Sequence, residues 1–238
     1  VFLIALPLMG RWRTAAWAAA AVGIIAAIAI IRLHAAGVDD WFGTWMANVS
    51  EFTHANEPGD ATWGAKLRWQ LVNLAPVFHN FTDPRGLVQG LSIGFLVAGL
   101  GLITWIWHRR PTRPGILGLW SIMAVLTLLP VYHRYYDTCM LILPMVWAVR
   151  ELRGRMHYWA MATLGALAVF IVPSSTAVHW AGVKGYIDES LTESFFWQAF
   201  VKLHQNYLLL ILMVLLLWGL NRSGQLAEER TTAGEVDQ

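Results

Sequence analysis

The residues best placed to do chemistry lie together in Tyr132-His133-Arg134-Tyr135-Tyr136-Asp137, between two apolar runs. Arg134 offers a fork of donors that fits phosphate, and His133 a proton carrier that works near neutral pH. Tyr132 and Tyr136 supply aromatic walls for a sugar or a lipid. His133 and Asp137 are four apart and Arg134 and Asp137 three apart, so either pair can share a helix face. The plain reading is an Arg134–Asp137 ion pair that neutralises a helix end, with the tyrosines as interfacial anchors. The sharper reading is a binding site for an anionic headgroup.

Depth favours the sharper reading. Ile116 to Val131 gives 16 residues without a charge, and Thr138 to Val149 gives 12. At about 1.5 Å per residue these runs reach roughly 24 and 18 Å, short of a hydrocarbon core of about 30 Å. The polar stretch is therefore expected to sit sunken below the membrane surface. A charge at that depth costs about 2.5–3.5 kcal/mol on insertion scales, so an intramembrane ion is a functional hypothesis.

The elements that must position this stretch read as transmembrane helices. The chain is 57% hydrophobic and 13% charged, with the apolar residues in long blocks, which excludes an ordinary soluble domain. The expected fold is all-α: a polytopic transmembrane bundle over residues 1–220 with a polar cytoplasmic tail, 221–238, expected to be disordered. Spans are expected near 14–31, 86–107, 116–131, 138–149, 158–172 and 206–220, after a partial first helix that reads as the end of a span begun upstream of Val1. Two long loops, 33–85 and 174–205, separate them. Short basic turns such as Arg11-Trp12-Arg13, His108 to Arg113 and Arg150 to Arg155, with the tail, hold ten of the 17 Lys and Arg residues. The positive-inside rule then makes these turns cytoplasmic and both long loops extracytoplasmic in a multi-pass cell-membrane protein. It also makes 132–137 a turn between two short helices: a single span over 116–149 would put Arg150 to Arg155 outside. Within the loops, Trp63, Leu67, Leu71, Leu74 and Phe78 fall at helical spacing, as do Phe196, Phe200 and Leu203. Amphipathic interfacial helices are expected at both places.

Other chemistry is weakly signalled. Asp39 and Asp40 open the first loop but point different ways on a helix. His54, His79, His179 and His204 lack ligand spacing, so no metal is expected. Asn48-Val-Ser and Asn80-Phe-Thr match the N-glycosylation acceptor pattern. Cys139 alone cannot form an internal disulfide. No phosphate-binding or nucleophile-elbow motif is present, and nucleic acid is not an expected partner.

The run LLPVYHRYYDTCMLILPMVWAV resembles the late paired helices of glycosyltransferase family 87, polytopic enzymes of the GT-C type similar to polyprenol-phosphate-mannose-dependent mannosyltransferases. The RWR turn followed by an Ala-rich span is similar too, as is KLRWQLVNL with its Arg68 and Asn73. The resemblance implies transfer of a hexose, mannose by that likeness, from a polyprenyl-phosphate donor to a lipid or glycan acceptor at the outer face, with no cofactor. It implies donor binding by Tyr132, His133, Arg134, Tyr136, Asp137 and Asn73. The family's catalytic carboxylate lies in an early outer loop, so the base is expected upstream of Val1, residues 1–238 alone are expected to be inactive, and Asp39 and Asp40 are not given that role. The alternatives are a transporter or flippase of a lipid-linked sugar, against which the lack of an internal repeat counts, and a non-catalytic membrane scaffold.

Overall fold

The computed structural model describes residues 2–52, 54, 57, 59–109, 115–130, 135–172 and 175–236, with backbone alone at 2, 5, 8, 52, 135, 136 and 223–236. The elements in order are α1 (Phe2–Leu8), α2 (Trp12–Ala35), α3 (Trp41–Phe52), a 3₁₀ turn (Arg68–Gln70), α4 (Ala75–Phe78), α5 (Arg85–Arg109) and α6 (Ile116–Leu128). A second 3₁₀ segment (Tyr135–Leu141), α7 (Ile142–Glu151), α8 (His157–Ile171), α9 (Ser175–Val183), α10 (Glu189–Thr192), a π-helical turn (Trp197–Val201) and α11 (His204–Val236) complete it. Among the described residues there is no β-strand.

Three helices, α2, α5 and the first 19 residues of α11, are long and apolar enough to cross a membrane. A fourth crossing follows if α8 and α9, bent by 41° to one another, count as one broken span. α2 buries only 6% of its apolar window, so hydrocarbon is the surrounding its bare Ala/Ile surface suits.

α6 is the hub. Its sequence ILGLWSIMAVLTL is apolar on every face, and Leu119 and Ile122 to Leu126 are fully enclosed. α7 and α11 pack against it, and α8 packs against both of those. Trp147 of α7 is wedged between Gly118 of α6 and Gly219 of α11; a Cβ added at either glycine would come within 3.1 Å of the indole. Small residues at such crossings let helix backbones approach where lipid gives no hydrophobic drive. Because α6 and α7 are consecutive and lie side by side, the chain reverses between them.

Three expectations are corrected. The apolar spacing at Trp63, Leu67, Leu71, Leu74 and Phe78 does not make an amphipathic helix: the stretch folds as turns, the 3₁₀ turn and the four-residue α4. Leu71, Val72 and Leu74 are 1% exposed, so their apolar character serves the bundle interior and not a lipid surface. In the second loop Leu203 is likewise buried, and Phe200 lies in or beside a π-helical turn and not a regular amphipathic helix. The amphipathic helix of the first loop is α3, where Phe42, Trp45, Met46 and Val49 recur at i, i+3, i+4, i+7 and are all exposed. Such a face suits a helix lying along a bilayer surface. Finally, α11 runs on to Val236 through the polar tail expected to be disordered. Its Gln, Leu, Ala, Glu and Arg residues are strong helix formers.

Candidate functional site

The first long loop is held by short-range polar contacts that its sequence makes easy. Asp60 Oδ1 accepts the Thr62 N–H at 3.0 Å, an Asx turn that folds the loop back. Asn73 Oδ1 accepts the Ala75 N–H at 2.9 Å and so opens α4, where Pro76 occupies a first-turn position. α4 ends at His79, whose Nδ1 meets the Thr82 carbonyl at 3.2 Å. A hydrogen bond there makes Nδ1 the protonated nitrogen and leaves Nε2 as an acceptor. Arg85 then begins α5.

These turns, the first part of α5 and the end of α6 enclose a pocket of about 350 Å³. Asp60, Asn73, His79, Arg85, Gln89 and Pro130 supply its wall. Asp60 is 3% exposed, the one buried carboxylate among the described residues, with Arg85 Nη2 at 4.0 Å; the Arg85 side chain is half-exposed. Burial holds the His79 imidazole below its ordinary pKa of 6.5; the Thr82 carbonyl opposes the shift and the charge of Arg68 adds to it. His79 is therefore mostly neutral at pH 7. The pocket thus offers one partly hydrated cation, a neutral imidazole and two amides around a compensated carboxylate. That chemistry suits a small polar anion with hydroxyl groups nearby. Among the described residues, no three His, Cys, Asp or Glu side chains are grouped as a metal ion would need.

A second cluster joins the two long loops. Arg68, 5% exposed, donates from Nη2 to Pro76 O at 2.7 Å and to Asn80 Oδ1 at 2.6 Å, and from Nη1 to Trp63 O at 3.3 Å. Its guanidinium lies 5.0 Å from the Trp63 ring centroid, and Trp63 stacks on Phe195 of the second loop. Asn80 Nδ2 in turn donates to Ala199 O and Tyr207 Oη, both at 3.3 Å. Burial lowers the Arg68 pKa to about 10, which still leaves it cationic at pH 7. This arginine is a tie between loops. Asn80, its amide committed inside that tie, is a poor glycosylation acceptor.

Of the residues singled out in the sequence, Asn73 lines the pocket and Pro130 borders it. Tyr132, His133 and Arg134 lie outside the described residues; Pro130 is the last described residue before them. Tyr136 and Asp137 fall in the 3₁₀ segment after the turn, with Asp137 half-buried. The structure therefore brings Asn73 into the pocket that Pro130 borders. Asp39 and Asp40 have local work: Asp39 pairs with His34 at 2.9 Å at the exposed end of α2, and Asp40 accepts the Gly43 N–H at 2.9 Å to begin α3. Asp60, His79, Arg85 and Gln89 carry no motif. The signals available were Asp60 in a Gly-Asp turn and a Pro84-Arg85 start to an apolar helix. Comparison with protein-family models, curated proteins and solved structures finds no match to the chain.

Proposed function

We propose that the chain carries the donor-binding part of a membrane glycosyltransferase, one that moves a hexose from a polyprenyl phosphate to an acceptor at the extracytoplasmic face. The observation that carries this reading is the position of Pro130. Pro130, two positions before Tyr132 in the chain, borders a polar pocket furnished with Arg85, His79 and Asn73, which supports the reading. The Lys/Arg asymmetry between short turns and long loops supports an extracytoplasmic position for that pocket.

In this reading Arg134 and Arg85 both bind the phosphate, and Asp60 works through Arg85 by fixing its guanidinium. As the bond from the anomeric carbon to the phosphate oxygen breaks, its electron pair stays on that oxygen, and the cations stabilise the charge that develops there. The acceptor oxygen bonds to the same carbon and gives its proton to a base, a role assigned to no residue of this chain. The amides of Asn73 and Gln89 face the sugar hydroxyls, and Tyr132 and Tyr136 wall the sugar or the prenyl chain.

The test is transfer of radiolabelled hexose from a polyprenyl-phosphate donor in membranes carrying the native gene product. Arg134→Ala and Arg85→Gln are each expected to lower transfer at least tenfold, the effect of losing a hydrogen bond to charge worth about 1.5–3 kcal/mol. Full transfer by Arg134→Ala at normal expression would sink the reading. A transporter of the same lipid-linked sugar is the second reading, favoured by the bent α8–α9 pair, since broken helices mark transport sites. Movement of labelled lipid-linked sugar across proteoliposomes without transfer would select it.

A further inference from the structure

The pocket at the start of α5 has an inner part that the cation at its mouth does not explain. Arg85, Gln89 and Ser92 fall at i, i+4 and i+7, so they share one face of α5, and all three line the pocket. Arg85 is half-exposed, whereas Ser92, two turns or about 10 Å further along the helix, is 4% exposed. Charge therefore sits at the mouth and neutral polar groups lie inside. Asn73 and His79, which flank α4, are 3% and 6% exposed and line the same pocket.

Asn73 and His79 each have one polar atom spent on the protein and one to spare. Asn73 Oδ1 accepts the Ala75 N–H, and His79 Nδ1 donates to the Thr82 carbonyl. The opposite atoms, Asn73 Nδ2 and His79 Nε2, have no partner among the described residues and are not sealed from surface. With the side chains so nearly buried, the surface they keep opens to the pocket they line. Ser92 Oγ donates its hydrogen bond to Val88 O at 2.9 Å and so keeps only lone pairs for a ligand. The inner part thus presents one amide donor and two acceptors, since His79 is neutral at pH 7. A phosphate or carboxylate, which only accepts, would leave both acceptors unmet. An ammonium, which only donates, would leave the amide unmet. Hydroxyl groups do both, and several on one ring answer all three atoms.

We propose that Asn73, His79 and Ser92 form a hydroxyl-reading subsite, which takes a sugar ring inward of a phosphate held at Arg85 and selects it by its free hydroxyls. That this sugar is the unit transferred rests on the transferase reading above. A volume of about 350 Å³ suits a single ring with its phosphate and not an oligosaccharide. Leu71, Ala75 and Val88 supply apolar wall, which raises the cost of any inner polar atom left unmet.

The experiment is calorimetric binding to the native gene product in detergent. The probes are mannose 1-phosphate and glucose 1-phosphate, with cyclohexyl phosphate as a ring of the same size without hydroxyls. At least one hexose 1-phosphate is expected to bind at least tenfold more tightly than cyclohexyl phosphate. His79→Phe and Ser92→Ala are each expected to cut that ratio at least threefold. His79→Gln, which keeps an acceptor near the Nε2 position, is expected to preserve it. Arg85→Gln is expected to weaken all three probes alike and leave the ratio unchanged. Equal binding of cyclohexyl phosphate, no saturable binding of either hexose 1-phosphate, an unchanged ratio in both His79→Phe and Ser92→Ala, or a loss in His79→Gln as large as in His79→Phe would overturn the proposal. The two readings fail separately. The full ratio without transfer from a polyprenyl-phosphate donor removes the transferase and keeps the subsite, whereas transfer with no preference over cyclohexyl phosphate removes the subsite alone.

Discussion

Replacing Arg68 by alanine tests how the two long loops are held together. Arg68 makes two short hydrogen bonds, to Pro76 O at 2.7 Å and Asn80 Oδ1 at 2.6 Å, and a longer one to Trp63 O. Hydrogen bonds from a charged donor are worth about 1.5–3 kcal/mol each, so the short pair contributes roughly 3–6 kcal/mol. Against this stands the cost of burial. A pKa drawn down to about 10 corresponds to about 3 kcal/mol of disfavoured charge, which the substitution recovers. The hydrogen bonds win, by about 0–3 kcal/mol, and the cavity left by the stem adds about 1 kcal/mol. Arg68→Ala is thus expected to destabilise by about 1–4 kcal/mol. At about 2–4 °C per kcal/mol for a chain of this size, thermal unfolding in detergent at one scan rate should begin roughly 2–16 °C lower. Arg68→Lys keeps the stem and one of the bonds and should fall between alanine and wild type. Because Asn80 also holds Ala199 and Tyr207, the second long loop is expected to loosen too in the alanine variant. A melting temperature within about 2 °C of wild type, or lysine worse than alanine, would refute the tie.

The folded His79 pKa lies below its ordinary 6.5, so the unfolded chain takes up the proton first. Its contribution to stability is present above pH 6.5 and is lost as pH falls below that; an acid titration of unfolding should show the loss, and His79→Gln should flatten it. Gly118→Leu is expected to displace Trp147 and cost about 1–3 kcal/mol, read as a lowered melting temperature, whereas a substitution at Gly94, where a Cβ meets nothing within 4 Å, should leave melting unchanged. A nitroxide on Trp45→Cys in a Cys139→Ser background is expected to meet oxygen more readily than a water-soluble nickel complex; the reverse accessibility would detach α3 from the bilayer surface.

The helices were legible wherever hydropathy alone decides. α2 and α5 follow from runs that no soluble fold would leave so bare, whereas the run in α6 read only as a short span, and its enclosure by other helices left no trace in the sequence. What spacing could not settle was which surface an apolar face meets. Trp63 to Phe78 has a helical period, but Pro76 would deny a helix over that whole stretch an interior N–H, and the chain turns at Asn73, whose Oδ1 accepts the Ala75 N–H, so Leu71 and Leu74 are delivered into the bundle by turns. The period of Phe42, Trp45, Met46 and Val49 was the better interfacial signal and was masked by nearby Asp39, Asp40 and Gly43. The first pocket was legible only in part. Asn73 could be singled out, yet Asp60 and Arg85 stand 25 positions apart in sequence and meet only because the loop folds back on the start of α5. The turns of the second loop depend on the π turn Trp197–Val201 and on Gly185 at φ +72°, neither of which leaves a periodic trace.

α6 gives a reason for the place of the first pocket. Its 13 residues rise about 20 Å, less than a hydrocarbon layer of about 30 Å, and an end enclosed by other helices leaves carbonyls that need a partner from the protein. The protein supplies the partner itself: Leu74 N–H donates to Leu129 O at 2.8 Å. To reach that carbonyl the first loop must descend into the bundle, which is why Leu71, Val72 and Leu74 are its most enclosed residues, and Asn206 Nδ2 of α11 ties down the strand of loop between them by donating to Asn73 O at 2.8 Å. A loop that descends as backbone brings its polar side chains with it. Asp60, His79 and Arg85 then stand together in the pocket that Pro130 borders, with the buried carboxylate facing Arg85 and walled by protein. The short helix is therefore the cause and the polar pocket its consequence. Lengthening α6 by one turn with Leu-Ala-Leu-Ala after Leu128 would lift Leu129 by about 6 Å, break the bond to Leu74, and empty the site without touching any residue in it.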